Sequence, residues 1–195
     1  MPGEVCRILY APPTTAPEPR PAAFLDRDGV LNIDHGHVHR CADFDWLPGA
    51  AAAVARLNRW GYLVVVATNQ SGIARGIYDA ATFAALSDWM VGELGRAHAR
   101  VDAVFYCPHH PTEGQGALRR ACPCRKPAPG MLLAAIAQLG IDAGRSVFIG
   151  DQDTDMQAAS AAGVRGLKFP GGDLDEFVRA NVPPAMPAAP VIRPR

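Results

Sequence analysis

The sequence predicts an α/β fold, a three-layer sandwich in which helices cover both faces of a central parallel sheet. Three observations predict it. Short apolar runs of strand length alternate with longer segments whose apolar residues recur at helical spacing. The run Tyr62 to Ala67 is apolar throughout, as a strand covered on both faces must be. Finally, Asp26, Thr68 and Asp151 each fall just after the C-terminal end of an apolar run, where open parallel sheets bind their ligands.

The elements follow in order. Residues 1–21 include Ala-Pro-Pro-Thr-Thr-Ala-Pro-Glu-Pro-Arg-Pro, which suits neither a helix interior nor a central strand, so an extended N-terminal tail is expected. Ala22 to Leu25 is a strand ending at Asp26. Pro48 to Trp60 is a helix, with proline at its start and Gly61 just past its end. Tyr62 to Ala67 is a strand running into Thr68-Asn69. Asp79 caps a helix to about Gly95, with Phe83, Leu86, Met90 and Leu94 on one stripe. Val101 to Tyr106 is a strand that leads into Cys107. Pro129 to Leu139 is a helix stopped by Gly140, and Ser146 to Ile149 a strand ending in Gly150-Asp151. Thr154 to Ala162 is a helix stopped by Gly163, and Val164 to Phe169 is a last strand. Prolines at 183, 184, 187, 190 and 194 make residues 181–195 a second tail. The folded body is then 22–180, with a loop at 107–124 and no room for a large cap domain.

Composition narrows the partners. The chain of 195 residues is 49% hydrophobic and 19% charged, too apolar for disorder. A chain of this length buries roughly 70% of the surface it exposes when unfolded, so it needs no disulfide or metal merely to fold. Lys+Arg and Asp+Glu are both 19, and no aromatic-basic stripe is present, which argues against a nucleic-acid partner. No apolar run approaches the ~20 residues of a membrane span, and Pro and Thr interrupt the N-terminus before a secretory signal could form. A small-molecule partner, no membrane partner and a monomer are expected. Cysteine usage suggests a reducing cytoplasm: Cys107, Cys122 and Cys124 crowd near two histidines like metal ligands, while Cys6 and Cys41 are isolated thiols. Lysine occurs only at 126 and 168, so a functional lysine would stand out.

Phe24-Leu25-Asp26-Arg27-Asp28-Gly29-Val30 sets two aspartates two apart at a strand end, on one side of the chain, before a glycine that permits a sharp turn. Two close carboxylates repel, so one holds a proton or both share a cation. That division suits covalent phosphoryl transfer. The ionised carboxylate attacks phosphorus; the protonated one gives its proton to the leaving oxygen and then activates water. A divalent cation is needed to bring a phosphate dianion to a carboxylate. Asp151 can complete its oxygen site, which favours Mg²⁺. Lys126 and Thr68 can neutralise and hydrogen-bond the transferring group.

These motifs, in this order, resemble the haloacid dehalogenase (HAD) superfamily of phosphohydrolases. Leu25-Asp26-Arg27-Asp28-Gly29-Val30-Leu31-Asn32 is similar to its first motif, Thr68-Asn69 to its second, Lys126 to its third and Gly150-Asp151-x-x-x-Asp155 to its fourth. The resemblance implies a HAD-like, Rossmann-type sheet, Asp26 as nucleophile and Asp28 as acid/base. It also implies Mg²⁺ on the Asp26 carboxylate, the Asp28 backbone carbonyl and Asp151, with Asp155 in support. The runs Thr68 to Gly76, Tyr106 to Pro111, Cys124-Arg125-Lys126-Pro127 and Asp155 to Ala159 further resemble the heptose-1,7-bisphosphate 7-phosphatase family, over about residues 22–170. That implies a sugar bisphosphate substrate contacted by Arg125, with Asn69 beside Thr68 at the phosphate; Arg75 and His39 are further candidates for substrate binding. One departure is Gln152, where that family commonly has lysine; another is His37 in the segment His37-Val38-His39, where a tyrosine is expected. A histidinol-phosphate phosphatase, which shares a similar zinc loop, is the alternative; a zinc-stabilised nucleic-acid-binding module is a distant one.

Cys107-x-His109 and Cys122-x-Cys124 offer three thiolates and an imidazole, which satisfy tetrahedral zinc with no open position, so the zinc should be structural. His110 could take the place of His109. Such a zinc would close the 107–124 loop and position Arg125 and Lys126. His35, His37 and His39 fall in a loop over the site.

Overall fold

The computed structural model describes residues 6–10 and 18–185, within which six strands form one sheet. They are β1 (Cys6–Leu9), β2 (Ala22–Leu25), β3 (Leu63–Asn69), β4 (Ala103–Cys107), β5 (Val147–Gly150) and β6 (Arg165–Lys168). Their spatial order is β1-β4-β3-β2-β5-β6. Every neighbouring pair is parallel except β1 with β4, which is antiparallel with Cys6 opposite Tyr106.

Successive strand residues point to opposite faces, and this splits the core into two layers. Ala23, Leu25, Val64, Val66, Val104 and Ile149 face one layer, with α1 (Ala50–Arg59), α3 (Ala80–Arg96) and α6 (Leu174–Asn181) supplying Val54, Leu57, Phe83, Met90, Leu94 and Val178. Phe24, Val65, Ala67, Phe105 and Phe148 face the other, met by Met131, Leu132 and Ala135 of α4 (Gly130–Leu139) and Ala158 and Ala159 of α5 (Asp153–Ala161). The expected stripe of α3 is the buried one, and the side chain of Asp79 accepts a hydrogen bond from Thr82 N as its cap.

The chain leaves β2 in one direction to β3 and β4, then returns to build β5 and β6 on the other side. The strand order therefore reverses at β2, and the crevice opens at its C-terminal end. Leu25 pairs with Val66 on one side and Ile149 on the other, so Asp26, Thr68 and Asp151 emerge at the same level. No helix among the described residues is long and apolar enough to cross a membrane.

Three expectations are corrected. Cys6–Leu9, placed in the N-terminal tail, is an edge strand, because four residues suffice to pair with the exposed flank of β4. The sheet is thus parallel with one antiparallel edge. Pro183 and Ala185, placed in the C-terminal tail, lie against the body, where Pro183 O accepts from Tyr62 Oη at 2.9 Å and Ala185 N donates to Trp60 O at 3.0 Å. Two helices were not expected: α2 (Ser71–Ala74), a single turn after β3, and α6, which packs on α1 through the Arg56–Asp175 ion pair. The remaining parts of both tails, 1–5, 11–17 and 186–195, lie outside the described residues.

Candidate active site

Asp26 sits one residue past β2, its N–H donating to Ile149 O at 3.0 Å. Its Oδ1 accepts from Arg27 N at 2.7 Å and its Oδ2 lies 2.8 Å from Lys126 Nζ. Lys126 arrives from the segment before α4 and is buried. Its ammonium bridges Asp26 and Asp155 Oδ1, the latter at 2.7 Å, and donates to Ala67 O at 2.9 Å. Burial opposes that charge, but the two carboxylates outweigh it and hold Lys126 above the ordinary lysine range. Burial also pushes Asp26 up from 3.8 to about 7; Lys126 pulls against this and Asp155 adds to it. Burial raises Asp151 as well, against a hydrogen bond from Gln152.

Backbone geometry makes room for this cluster. Gly29 has φ +83°, and a Cβ there would stand 2.5 Å from Asp151 Oδ2. A Cβ on Gly150 would collide with the Asp155 carboxylate. Both glycines of the Asp-Gly and Gly-Asp motifs therefore let carboxylates approach the turn.

The carboxylate oxygens of Asp26, Asp151 and Asp155 come within 4.8 Å of one another. Asp151 Oδ1 is buried without a hydrogen-bond partner. The cleft holds about 250 Å³ and is lined by Asp26, Asp28, Asp34, Asp151 and Asp155 against one ammonium, that of Lys126. Such an acidic cleft, with an orphaned carboxylate oxygen and an all-oxygen donor set, fits a hard divalent cation.

The other expected residues divide. Thr68 is buried on the cleft wall, and its Oγ1 accepts from Gln70 Nε2 at 2.9 Å, which leaves its own hydrogen to donate. Asn69 lines the cleft, but its amide embraces the peptide of Lys126: Oδ1 accepts from Lys126 N at 3.0 Å and Nδ2 donates to Lys126 O at 3.1 Å. Asp28 Oδ2 accepts from Gln70 Nε2 at 3.1 Å, and Tyr78 Oη donates to Gln70 Oε1 at 2.6 Å. His39 stacks on Tyr78 with ring centroids 5.0 Å apart, behind the cleft wall rather than on it. Arg75 pairs with Glu113, and Arg125 donates to His109 O at 3.2 Å; neither reaches the cleft lining. Gln70, Tyr78 and Asp34 do line it and were not singled out in the sequence, where only the nearness of Gln70 to Thr68-Asn69 gave a signal.

Beside the site, ligand atoms of Cys107, His109 and Cys122 lie within 4.8 Å of one another, with Cys107 Sγ 3.7 Å from His109 Nδ1. Cys124 stands outside that trio. Burial pushes Cys107 and Cys124 up to about 12; neighbouring thiols add to this, while the His109 N–H opposes it at Cys107 and Arg120 at Cys124. A soft divalent cation would hold such thiols in their ionised, ligating form. His109 Nε2 accepts from an Arg120 guanidinium at 3.0 Å, which puts the ring proton on Nδ1; a metal would replace that proton, and Arg120 would have to release the ring. His110 instead caps its own loop, its Nδ1 accepting from Glu113 N at 2.9 Å. No disulfide joins the five cysteines, all of them among the described residues.

A doubly wound sheet whose switch point gathers aspartates, a buried lysine and a threonine defines a HAD-type hydrolase. A family model described as HAD-hydrolase-like matches residues 123–186. D-glycero-beta-D-manno-heptose-1,7-bisphosphate 7-phosphatase of Rhodopseudomonas palustris is 48% identical over 166 residues, 85% of this chain and 92% of that one. Its Vibrio cholerae counterpart is 50% identical over 145 residues, covering 74% and 78%. The crystal structure of D,D-heptose 1,7-bisphosphate phosphatase from B. bronchiseptica, complexed with magnesium and phosphate, superposes with a TM-score of 0.69 at 37% identity, over 84% of this chain and 88% of that one. This chain belongs to the HAD-like hydrolases, in the family of those heptose bisphosphate phosphatases.

Proposed function

We propose that this protein is a Mg²⁺-dependent phosphomonoester hydrolase that removes the 7-phosphate of D-glycero-D-manno-heptose 1,7-bisphosphate through a phosphoryl-aspartate on Asp26. The observation that carries the reading is the meeting of Asp26 and Asp151, from two strand ends, with Lys126, from the loop before α4, in one acidic cleft. The names of the relatives supply the substrate.

The chain's own residues perform the chemistry as follows. The Asp26 carboxylate forms a bond to phosphorus while the bond from phosphorus to the sugar oxygen breaks. The electron pair stays on that oxygen, which takes a proton from Asp28. Asp28 then removes a proton from water as the water attacks the phosphoryl-aspartate, releasing inorganic phosphate and restoring Asp26. Lys126 and the Thr68 hydroxyl stabilise the charge on the transferring group. Asn69 holds Lys126 through its peptide, and Asp155 holds the Lys126 ammonium from behind. Asp26, the Asp28 backbone carbonyl and Asp151 would hold Mg²⁺, which, when bound, neutralises phosphate charge and keeps Asp26 ionised. Cys107, His109, Cys122 and Cys124 would hold a structural Zn²⁺, consistent with a reducing, cytoplasmic compartment.

Phosphate release from a panel containing both heptose bisphosphate anomers and histidinol phosphate, with Mg²⁺, tests the reading. The highest kcat/KM should fall on a heptose bisphosphate. A large preference for histidinol phosphate would replace the substrate, and no phosphate release from any member would remove the activity.

A further inference from the structure

Between the two aspartates of the first motif stands Arg27, which the reaction above does not use. It is among the largest fully buried side chains, 1% exposed. Its guanidinium grips Asp28 with three hydrogen bonds: Nε to Oδ1 at 3.1 Å, and Nη2 to Oδ1 and Oδ2, both at 2.8 Å. The same Nη2 donates to Val38 O at 2.8 Å. Nη1 is buried with no hydrogen-bond partner, and the guanidinium carbon lies 5.7 Å from the centroid of Phe83. The Arg27 carbonyl in turn accepts from Leu31 N at 2.8 Å and Asn32 N at 3.1 Å, which fixes its backbone in the turn.

This is an expensive arrangement for mere packing. Well-packed apolar residues generally match or exceed a buried ion pair in stability, and an unpaired buried N–H adds a desolvation cost. An apolar side chain against Phe83 would serve the core better. What arginine supplies is geometry: a planar fork that fixes both oxygens of a carboxylate. Asn32 Nδ2, at 3.0 Å from Oδ1, and Gln70 Nε2 complete the cage around Asp28. Val38 lies in the segment that also carries Asp34, Gly36 and His37, three residues of the cleft wall.

We infer that Arg27 is a positioning residue: its guanidinium ties the Asp28 carboxylate to the cleft-lining segment 34–38 and so sets the orientation from which Asp28 delivers its proton. This rests on the proposed acid/base role of Asp28. Lysine keeps the charge but loses the fork, whereas methionine keeps the length and suits an apolar surround.

Leaving-group dependence separates this role from a structural one. A sugar phosphate has a poor leaving group and needs the proton; 4-nitrophenyl phosphate has a good one and needs it far less. Arg27→Lys and Arg27→Met should each slow single-turnover release of the sugar by about 10²-fold, the scale of an ångström-level misplacement, with little change in KM. The pre-steady-state burst of 4-nitrophenolate, which precedes the water step common to both substrates, should slow by less than about tenfold, since bond cleavage there leans less on the acid. Asp28→Asn, followed in the same first half-reaction, should show the same selectivity. Equal losses on both substrates in the Arg27 variants, or none, beside a selective Asp28→Asn, would overturn the inference and leave the role of Asp28 standing. An unselective Asp28→Asn would remove that role and the inference with it. If neither Arg27 variant folds, the residue is structural and the inference fails.

Discussion

Asp26 and Lys126 share one buried pocket, and each depends on the other there. Without the ammonium, burial would leave Asp26 more neutral still; without the carboxylates, burial would discharge Lys126. Asp26→Asn should therefore abolish phosphate release yet keep the fold, because an amide of the same shape carries no buried charge. Far-ultraviolet circular dichroism and a phosphate assay check both halves; retained turnover would remove Asp26 as nucleophile. Asp155→Asn tests the supporting pair. Its carboxylate is fully buried, and removing one partner of a buried ion pair costs about 3–5 kcal/mol. The low end is expected, since Asp26 still faces Lys126, and urea unfolding with parallel kcat measurement should show losses in both stability and rate.

At the scale of elements, the 107–124 loop begins where β4 ends and delivers Arg125 and Lys126 directly after Cys124. It also grips α2: Gln115 N donates to Ala74 O at 2.7 Å, and Gln115 Nε2 to Arg75 O at 3.1 Å. If the cluster holds zinc as proposed, a chelator should loosen the loop and lower kcat; protease sensitivity within 112–121 and phosphate release read the two effects. Unchanged values for both would make the cluster irrelevant to the site. The elements also differ in how legible they were. Strands β2, β3 and β5 and the Phe83 stripe announce themselves because burial on both faces, or on one helical face, leaves a period in the sequence. β1 left none: it is four residues long, half-exposed, and followed by prolines. Helix α6 carries only Leu174 and Val178 as buried residues, too few for a pattern. In the site, Asp26, Asp28, Thr68, Lys126 and Asp151 were readable from motif order. Tyr78 was not, because its bond to Gln70 depends on how the chain folds back after α2. Nor did motif order show that Arg75 would be spent on Glu113.

For the whole molecule, the cation site joins segments that are remote in sequence, so binding is linked to folding. At a free Mg²⁺ concentration a hundred times Kd the fold should gain about 2.7 kcal/mol. The sign of its pH dependence follows from Asp26. Metal-free, the folded state holds that proton up to about pH 7, while the unfolded chain releases it near 3.8. This group therefore makes the metal-free protein less stable as pH rises through that window. Mg²⁺ competes with the proton, so its apparent affinity should rise with pH, by up to about tenfold per unit below 7, and level off above. Thermal unfolding midpoints across Mg²⁺ titrations at several pH values check this. A midpoint shift independent of pH would place the cation elsewhere.

The burial of Lys126 has a practical side. With Lys126 enclosed at 3% exposure, the only other lysine is Lys168, at the outer edge of the sheet beside Asp153. An amine-reactive dye or a coupling resin would thus attach to side chains at Lys168 alone. The enzyme could be tethered or labelled at a single side chain while the buried ammonium of Lys126 stays untouched.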